Sequence, residues 1–200
     1  MKIDIIYHSL TGCTKKVAQA MYDGLDSLKQ WPDIPVVEKH LLDFKQKPEC
    51  AAADYVALGY YVTQGSMDEQ IKAWLPHLAG KRVFVFCTIA YFADSEHAFT
   101  AIRNGVNLVK AAGAEVIGSY VCNGALDPQM IEKFKQAAKT MGDGAVAREH
   151  AYTPEKGLRY ELFKNHPTAA ECALASERFN ERLVLSERVA HLAAPGSHLQ

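Results

Sequence analysis

Five short apolar runs, spaced by longer segments that mostly carry helical periodicity, constrain this chain more than any other feature. The runs are Ile3–Tyr7, Val36–Leu42, Tyr55–Tyr60, Val83–Cys87 and Val116–Val121, each rich in β-branched or aromatic residues. Apolar residues three or four apart mark Thr14–Leu28, Met67–Leu78, Ser95–Ala112 and Pro128–Met141 as helices. Such alternation predicts a parallel sheet with helices on both faces, because right-handed crossovers place successive helices there. Five strands fit the order 2-1-3-4-5. In that order the switch point lies between the first and third strands, and a ligand binds beyond their C-terminal ends.

Two hundred residues, 48% of them hydrophobic, suffice for one core and one domain with an appendage. A formal net charge of −1 with mixed signs carries neither a nucleic-acid footprint nor a membrane-surface patch. No apolar run reaches the length of a membrane span, and Met1-Lys2-Ile3-Asp4 lacks the plan of a signal peptide, so a cytoplasmic protein is expected. The five cysteines, Cys13, Cys50, Cys87, Cys122 and Cys172, include no Cys-x-x-Cys and read as free thiols in a reducing compartment. Eight histidines show no metal-ligand spacing, and of them His8 and His97 are placed to flank the crevice.

Beyond Met141, Gly142-Asp143-Gly144 reads as a helix stop and Ala145–Asn165 as a polar connector that wraps the surface. His166-Pro167-Thr168 opens a last helix, with Thr168 and Glu171 in capping-box spacing, running to about Ala190. Its stripe of Cys172, Leu174, Ala175, Phe179, Leu183 and Val184 is incomplete. The division expected is a ligand-binding domain over residues 1–141, then a connector and helix over 142–200 that packs on that domain or on a second subunit, as in a homodimer.

Chemistry concentrates where the first run breaks. In Ser9-Leu10-Thr11-Gly12-Cys13-Thr14, hydroxyls and backbone N–H groups surround a glycine at a helix start, which suits a phosphate monoester. Neither a Walker loop nor Gly-x-Gly-x-x-Gly is present, and Thr14 as a plain helix cap is the ordinary alternative. Two more loops should converge on the same crevice. Tyr60, Tyr61, Val62, Thr63, Gln64 and Gly65 combine aromatics for stacking on a planar ring with a glycine for close backbone approach, Tyr61 being the favoured stacker. Thr88, Ile89, Ala90, Tyr91 and Phe92 would bring backbone N–H groups to the ring edge and an aromatic to its other face, while Asp94 or Ser95 caps the following helix. A fourth loop, Cys122–Asp127, borders substrate or is a tight Asn-Gly turn. A serine hydrolase would need Gly-x-Ser-x-Gly, which is missing.

The segment Ser9–Thr14 resembles the phosphate loop of flavodoxins, Ser/Thr-x-Thr-Gly-Asn-Thr, with Ser9, Thr11, Gly12 and Thr14 matching and Cys13 in place of the asparagine. Gly59–Ser66 and Thr88–Ser95 resemble the two ring loops of that family more loosely. The resemblance covers roughly residues 1–141. The rest is similar to the extension of a group of non-classical flavodoxin-like proteins, some of them similar to companions of bilin- and haem-breakdown enzymes. It implies a flavodoxin-like three-layer α/β/α sandwich with an added C-terminal helix. It also implies non-covalent FMN, with the phosphate on Ser9, Leu10, Thr11, Gly12, Cys13 and Thr14 and the ring between the later loops. A carbonyl within Thr63-Gln64-Gly65 would meet ring N5.

Classical flavodoxins are strongly acidic, whereas residues 1–141 here hold fifteen basic and fifteen acidic side chains. Electron transfer between a reductase and an acceptor enzyme is the leading expectation, with a redox partner protein. Direct FMN-dependent reduction of a small planar acceptor, a quinone or a bilin-like tetrapyrrole, is the second. A fold that has exchanged flavin for another anion is the third, and Cys13 is its motive.

Overall fold

The computed structural model describes residues 1–140 and 152–193. The expected helix end at Met141, the stop at 142–144, the first part of the connector, His150, and residues 194–200 lie outside the described residues. Five strands, β1 (Lys2–Tyr7), β2 (Glu38–Asp43), β3 (Tyr55–Tyr61), β4 (Arg82–Ile89) and β5 (Glu115–Asn123), pair in parallel in the order 2-1-3-4-5. Apart from strand-end residues, the central strands β1, β3 and β4 are buried, so they read as largely apolar runs, the buried Asp4 of β1 being held by His40 Nδ1 at 2.9 Å. Strand β2 is an edge, and it lies two residues beyond the expected start because Glu38, Lys39 and His40, not Val36 and Val37, pair with β1. Within the sheet Gly59 sits beneath the Phe86 ring, where a Cβ would come within 2.1 Å of ring carbon.

Among the described residues, α1 (Cys13–Gly24), α2 (Glu69–Trp74) and α3 (Glu96–Ala111) lie between strands, and α4 (Pro128–Thr140), α5 (Pro154–Phe163) and α6 (Ala169–Ala193) follow the last one. Helix α1 tightens into a 3₁₀ turn over Leu25–Gln30, and α2 does the same over Leu75–Leu78, where Pro76 lacks the N–H to continue. Ser95 caps α3 through Ala98 N at 3.2 Å. Helices α2 and α3 cover one face of the sheet, setting Ile71, Trp74, Leu78, Ile102 and Val109 against Val56, Leu58, Val83 and Val85.

The other face differs from expectation. Helix α4 stands where the last core helix was read, yet no side chain from Pro128 to Lys139 is buried. Its place beside α1 is taken by α6, whose Ala175, Phe179 and Leu183 pack with Val17, Ala18 and Met21 of α1 onto Ile3, Ile5, Ala57, Phe84 and Phe86. Leu174, counted in the apolar stripe, faces outward at 39% exposure. The capping box at the start of α6 is reciprocal: Glu171 N donates to Thr168 Oγ1 at 3.2 Å and Thr168 N to Glu171 Oε2 at 2.6 Å. At the far end of the sheet, Arg82 Nη1 donates to Tyr55 Oη at 2.8 Å and to Glu187 Oε1 at 3.1 Å, while Tyr55 Oη donates to Glu187 Oε1 at 2.6 Å. The segment read as a featureless connector holds α5, started by Pro154 and capped by Thr153 through Lys156 N at 3.2 Å.

Two outcomes follow from this packing. Phe179 is fully buried with its ring centroid 5.3 Å from that of Phe84, so Phe179→Ala should lower stability by about 3–5 kcal/mol in urea unfolding. Burial pushes the Cys87 thiol up to about 12 from its ordinary 9.0. Above pH ~9 the unfolded chain releases a proton that the folded chain keeps, so stability falls as pH rises. The urea midpoint should drop between pH 8 and pH 10.5, and the drop should shrink in Cys87→Ala.

Candidate functional site

The chain leaves β1 at Tyr7 and enters α1 through Gly12, whose φ of 87° is the left-handed conformation that favours glycine. No side chain caps α1, and no acidic residue lies in its first turn, so the N–H groups there have no side-chain acceptor. Ser9 Oγ is buried without a hydrogen-bond partner among the described residues. A Cβ added to Gly12 would meet nothing within 4 Å, so the loop is open on that side. A buried orphan hydroxyl, uncapped helical N–H groups and an absence of carboxylate describe an anion cradle.

Thr14 is fully buried, and its hydroxyl lies 2.9 Å from that of Thr88 at the end of β4. That contact ties the first loop to the third. Cys13 turns the other way. Its Sγ accepts from Ala125 N at 3.3 Å and from Thr11 Oγ1 at 3.1 Å and donates to His166 O at 3.4 Å, so its side chain is taken up by contacts within the protein.

Of the residues expected to meet a planar ring, Tyr61, Val62, Thr88, Ile89 and Ala90 line one cavity of about 70 Å³ at the C-terminal ends of β1, β3 and β4, together with Leu10 and Thr11 of the phosphate loop, whereas Tyr91 and Phe92 lie outside its lining. Tyr60 does not join them. It is fully buried on the α3 side, its hydroxyl donating to Ala101 O at 3.1 Å, because alternation along β3 sends neighbouring side chains to opposite faces. Thr63, Gln64 and Gly65 form a tight turn beside the cavity. Thr63 N donates to Ser66 O at 2.9 Å, Ser66 N returns the bond to Thr63 O at 3.0 Å, and Asn104 Nδ2 holds Gly65 O at 3.0 Å. Tyr91 is fixed by a bond from Asn123 Nδ2 to its carbonyl at 3.0 Å, and Phe92 is 45% exposed.

Both flanking histidines sit against the ring loops. His8 packs on Tyr61 with centroids 5.2 Å apart, and its Nδ1 lies 2.6 Å from Asp68 Oδ2, within ion-pair range though off-line for a hydrogen bond. His97 meets Tyr91 edge-on at 5.6 Å.

The rest of the cavity wall comes from residues outside the expected ring loops. Gly124, Ala125, Leu126, Asp127 and Met130, from the loop after β5 and the start of α4, close it from above. The Asn-Gly pair at 123–124 was the signal for this loop, but a turn motif does not say which way the turn folds. Farther out, Phe163 of α5 packs edge-on against Phe92 at 5.2 Å, and no local pattern announced that contact. A larger groove of about 710 Å³ runs between α1 and α6, lined by Leu28, Trp31, Asn180 and Val184. It lies on the flank of the sandwich, away from the strand ends where ligands of such sheets bind. Among the described residues there is no cluster of potential metal ligands, and no helix is long and apolar enough to cross a membrane.

Comparison with known proteins agrees with this geometry. A family model described as a flavodoxin domain matches residues 4–180, from β1 into the middle of α6. Over 176 residues, the chain is 26% identical to the flavodoxin-like domain-containing protein BilS of Clostridioides difficile (strain CD3), covering 88% of this chain and 93% of that protein. Among solved structures, a flavodoxin from the domain Archaea aligns with a TM-score of 0.45 and 18% identity over 81% of this chain and 96% of its own. Flavodoxin 2 of Bacillus cereus aligns with a TM-score of 0.48 and 20% identity over 81% and 99%. FMN is the cofactor that goes with this domain, and the orphan Ser9 hydroxyl beside an uncapped helix suits its phosphate. A five-stranded parallel sheet of order 2-1-3-4-5 and a family match through most of the chain show that the protein belongs to the flavodoxin family.

Proposed function

We propose that this chain carries electrons between a reductase and an acceptor enzyme through FMN held at the switch-point crevice, in the cytoplasm. The observation that carries this reading is the buried Ser9 hydroxyl, left without a partner beside the open N-terminus of α1. Ser9, Leu10, Thr11, Gly12, Cys13 and Thr14 would hold the phosphate, Cys13 through its backbone. Tyr61 and Val62 on one side and Thr88, Ile89, Ala90, Tyr91 and Phe92 on the other would hold the ring, with Thr63, Gln64 and Gly65 offering a carbonyl at its edge. Bound FMN supplies one- and two-electron transfer. The protein's own groups bind the phosphate dianion, orient the ring by stacking and exclude water from one side of it. A cavity of about 70 Å³ is smaller than the ring, so only part of the ring would lie within it. The loops in this scheme lie within the expected domain of residues 1–141, and, of residues 142–200, the described 152–193 supply the outer cover and the closing helix.

Purified chain loaded with FMN should show a flavin spectrum, and a chain that stays colourless refutes the reading. Ser9→Ala and Thr11→Val each remove one hydrogen bond to a charged group, worth about 1.5–3 kcal/mol, so each should weaken FMN binding roughly tenfold to a hundredfold in a fluorescence titration. In stopped-flow mixing, the reduced protein should be reoxidised by a protein acceptor. Turnover with a free quinone or tetrapyrrole alone would reassign it as a reductase.

A further inference from the structure

Helix α5 sets one arginine on the face of Tyr91, the residue that follows Ala90 of the cavity wall. The Arg159 guanidinium carbon lies 4.5 Å from the centre of the Tyr91 ring and 5.6 Å from that of Tyr160. Its Nε is buried and has no hydrogen-bond partner among the described residues, and none of their carboxylates pairs with it. Burying part of a guanidinium is unfavourable unless another charge or a polarisable ring answers it, and among the described residues the groups that answer it are ring faces. Two neighbouring contacts hold the loop it presses on, from Phe163 to Phe92 at 5.2 Å and from Asn123 Nδ2 to Tyr91 O at 3.0 Å. The Tyr91 ring therefore has a cation on one face and its backbone pinned. The one carboxylate lining the cavity among the described residues, that of Asp127, is engaged by Gln129 N at 2.8 Å.

We infer that Arg159 is a positioning residue for the flavin, backing Tyr91 and making the crevice favour reduced FMN over oxidised FMN more than it would without that charge. The inference rests on the FMN reading above. Uptake of two electrons and one proton turns the neutral ring into an anion. A cation one aromatic ring away favours that anion by Coulomb attraction. The sign is opposite to that of an acidic rim, which disfavours the reduced anion.

The test is a potentiometric titration of the full FMN-loaded chain with a chemical reductant, comparing wild type, Arg159→Met, Arg159→Lys and Phe163→Ala. Arg159→Met should shift the two-electron midpoint to more negative potential, as a fivefold to tenfold loss in the ratio of oxidised to reduced dissociation constants. A tenfold loss corresponds to about 30 mV. Arg159→Lys keeps the charge and should recover most of that ratio. Phe163→Ala keeps Arg159 and should loosen both redox forms alike, leaving the midpoint in place. A wild-type midpoint in Arg159→Met, or a shift that Arg159→Lys does not recover, overturns the inference while leaving the FMN reading intact. Failure of the wild-type chain to bind FMN at the loading step overturns the FMN reading and the inference with it.

Discussion

A parallel sheet that is apolar on both faces has to be covered on both, and everything distinctive in this molecule follows from how late the second cover arrives. By the end of β5 the chain has laid α2 and α3 across one face, but only α1 across the other. Phe84 and Phe86 would face water there until α6 returns with Ala175, Phe179 and Leu183. Each of those side chains is fully buried, and at roughly 25 cal/mol per Å² of apolar surface their contribution is large beside the marginal stability of a domain.

The intervening residues, 124 to 168, leave the sheet at the C-terminal ends of its strands, where the crevice opens. The described residues among them reach the site at several points. Ala125 touches Cys13, α5 reaches Tyr91 and Phe92, and His166 accepts the Cys13 thiol through its carbonyl. This explains the departure at residue 13 from the flavodoxin loop pattern. An asparagine there would present a bulkier, more strongly polar group to a buried contact, whereas a thiol is a small hydrophobe with weak hydrogen-bonding capacity. The cysteine serves the cover while the backbone beneath it serves the ligand.

How much of this could be read from the chain depended on whether the signal was local. The strand runs, their order and the Ser9–Thr14 loop are local, and Ser95 and Thr168 capped the helices expected of them. Tyr60 illustrates the limit, since which of two adjacent tyrosines faces the crevice depends on the phase of the pleat, and Tyr60 falls on the side of α3. Helix α5 was missed because its Leu158 and Leu162 face solvent, so it shows no buried apolar stripe to find. Choosing between α4 and α6 as the core helix required knowing that Phe179 reaches Phe84, a contact between residues ninety-five positions apart. Helical periodicity says that a helix has a face to bury, not where it is buried.

The bond from Asn123 N to Glu171 Oε1, 3.2 Å long, joins the last residue of β5 to the first turn of α6. With Tyr120 Oη donating to Glu171 O at 2.9 Å, it brings the departure and return points of the 124–168 excursion together. A loop whose ends are already joined costs little more to close when it lengthens, because the closure entropy grows only with the logarithm of its length. The sandwich is therefore indifferent to how many residues lie between these two points. Changes of length in that stretch fall on the roof of the crevice and leave its walls in place.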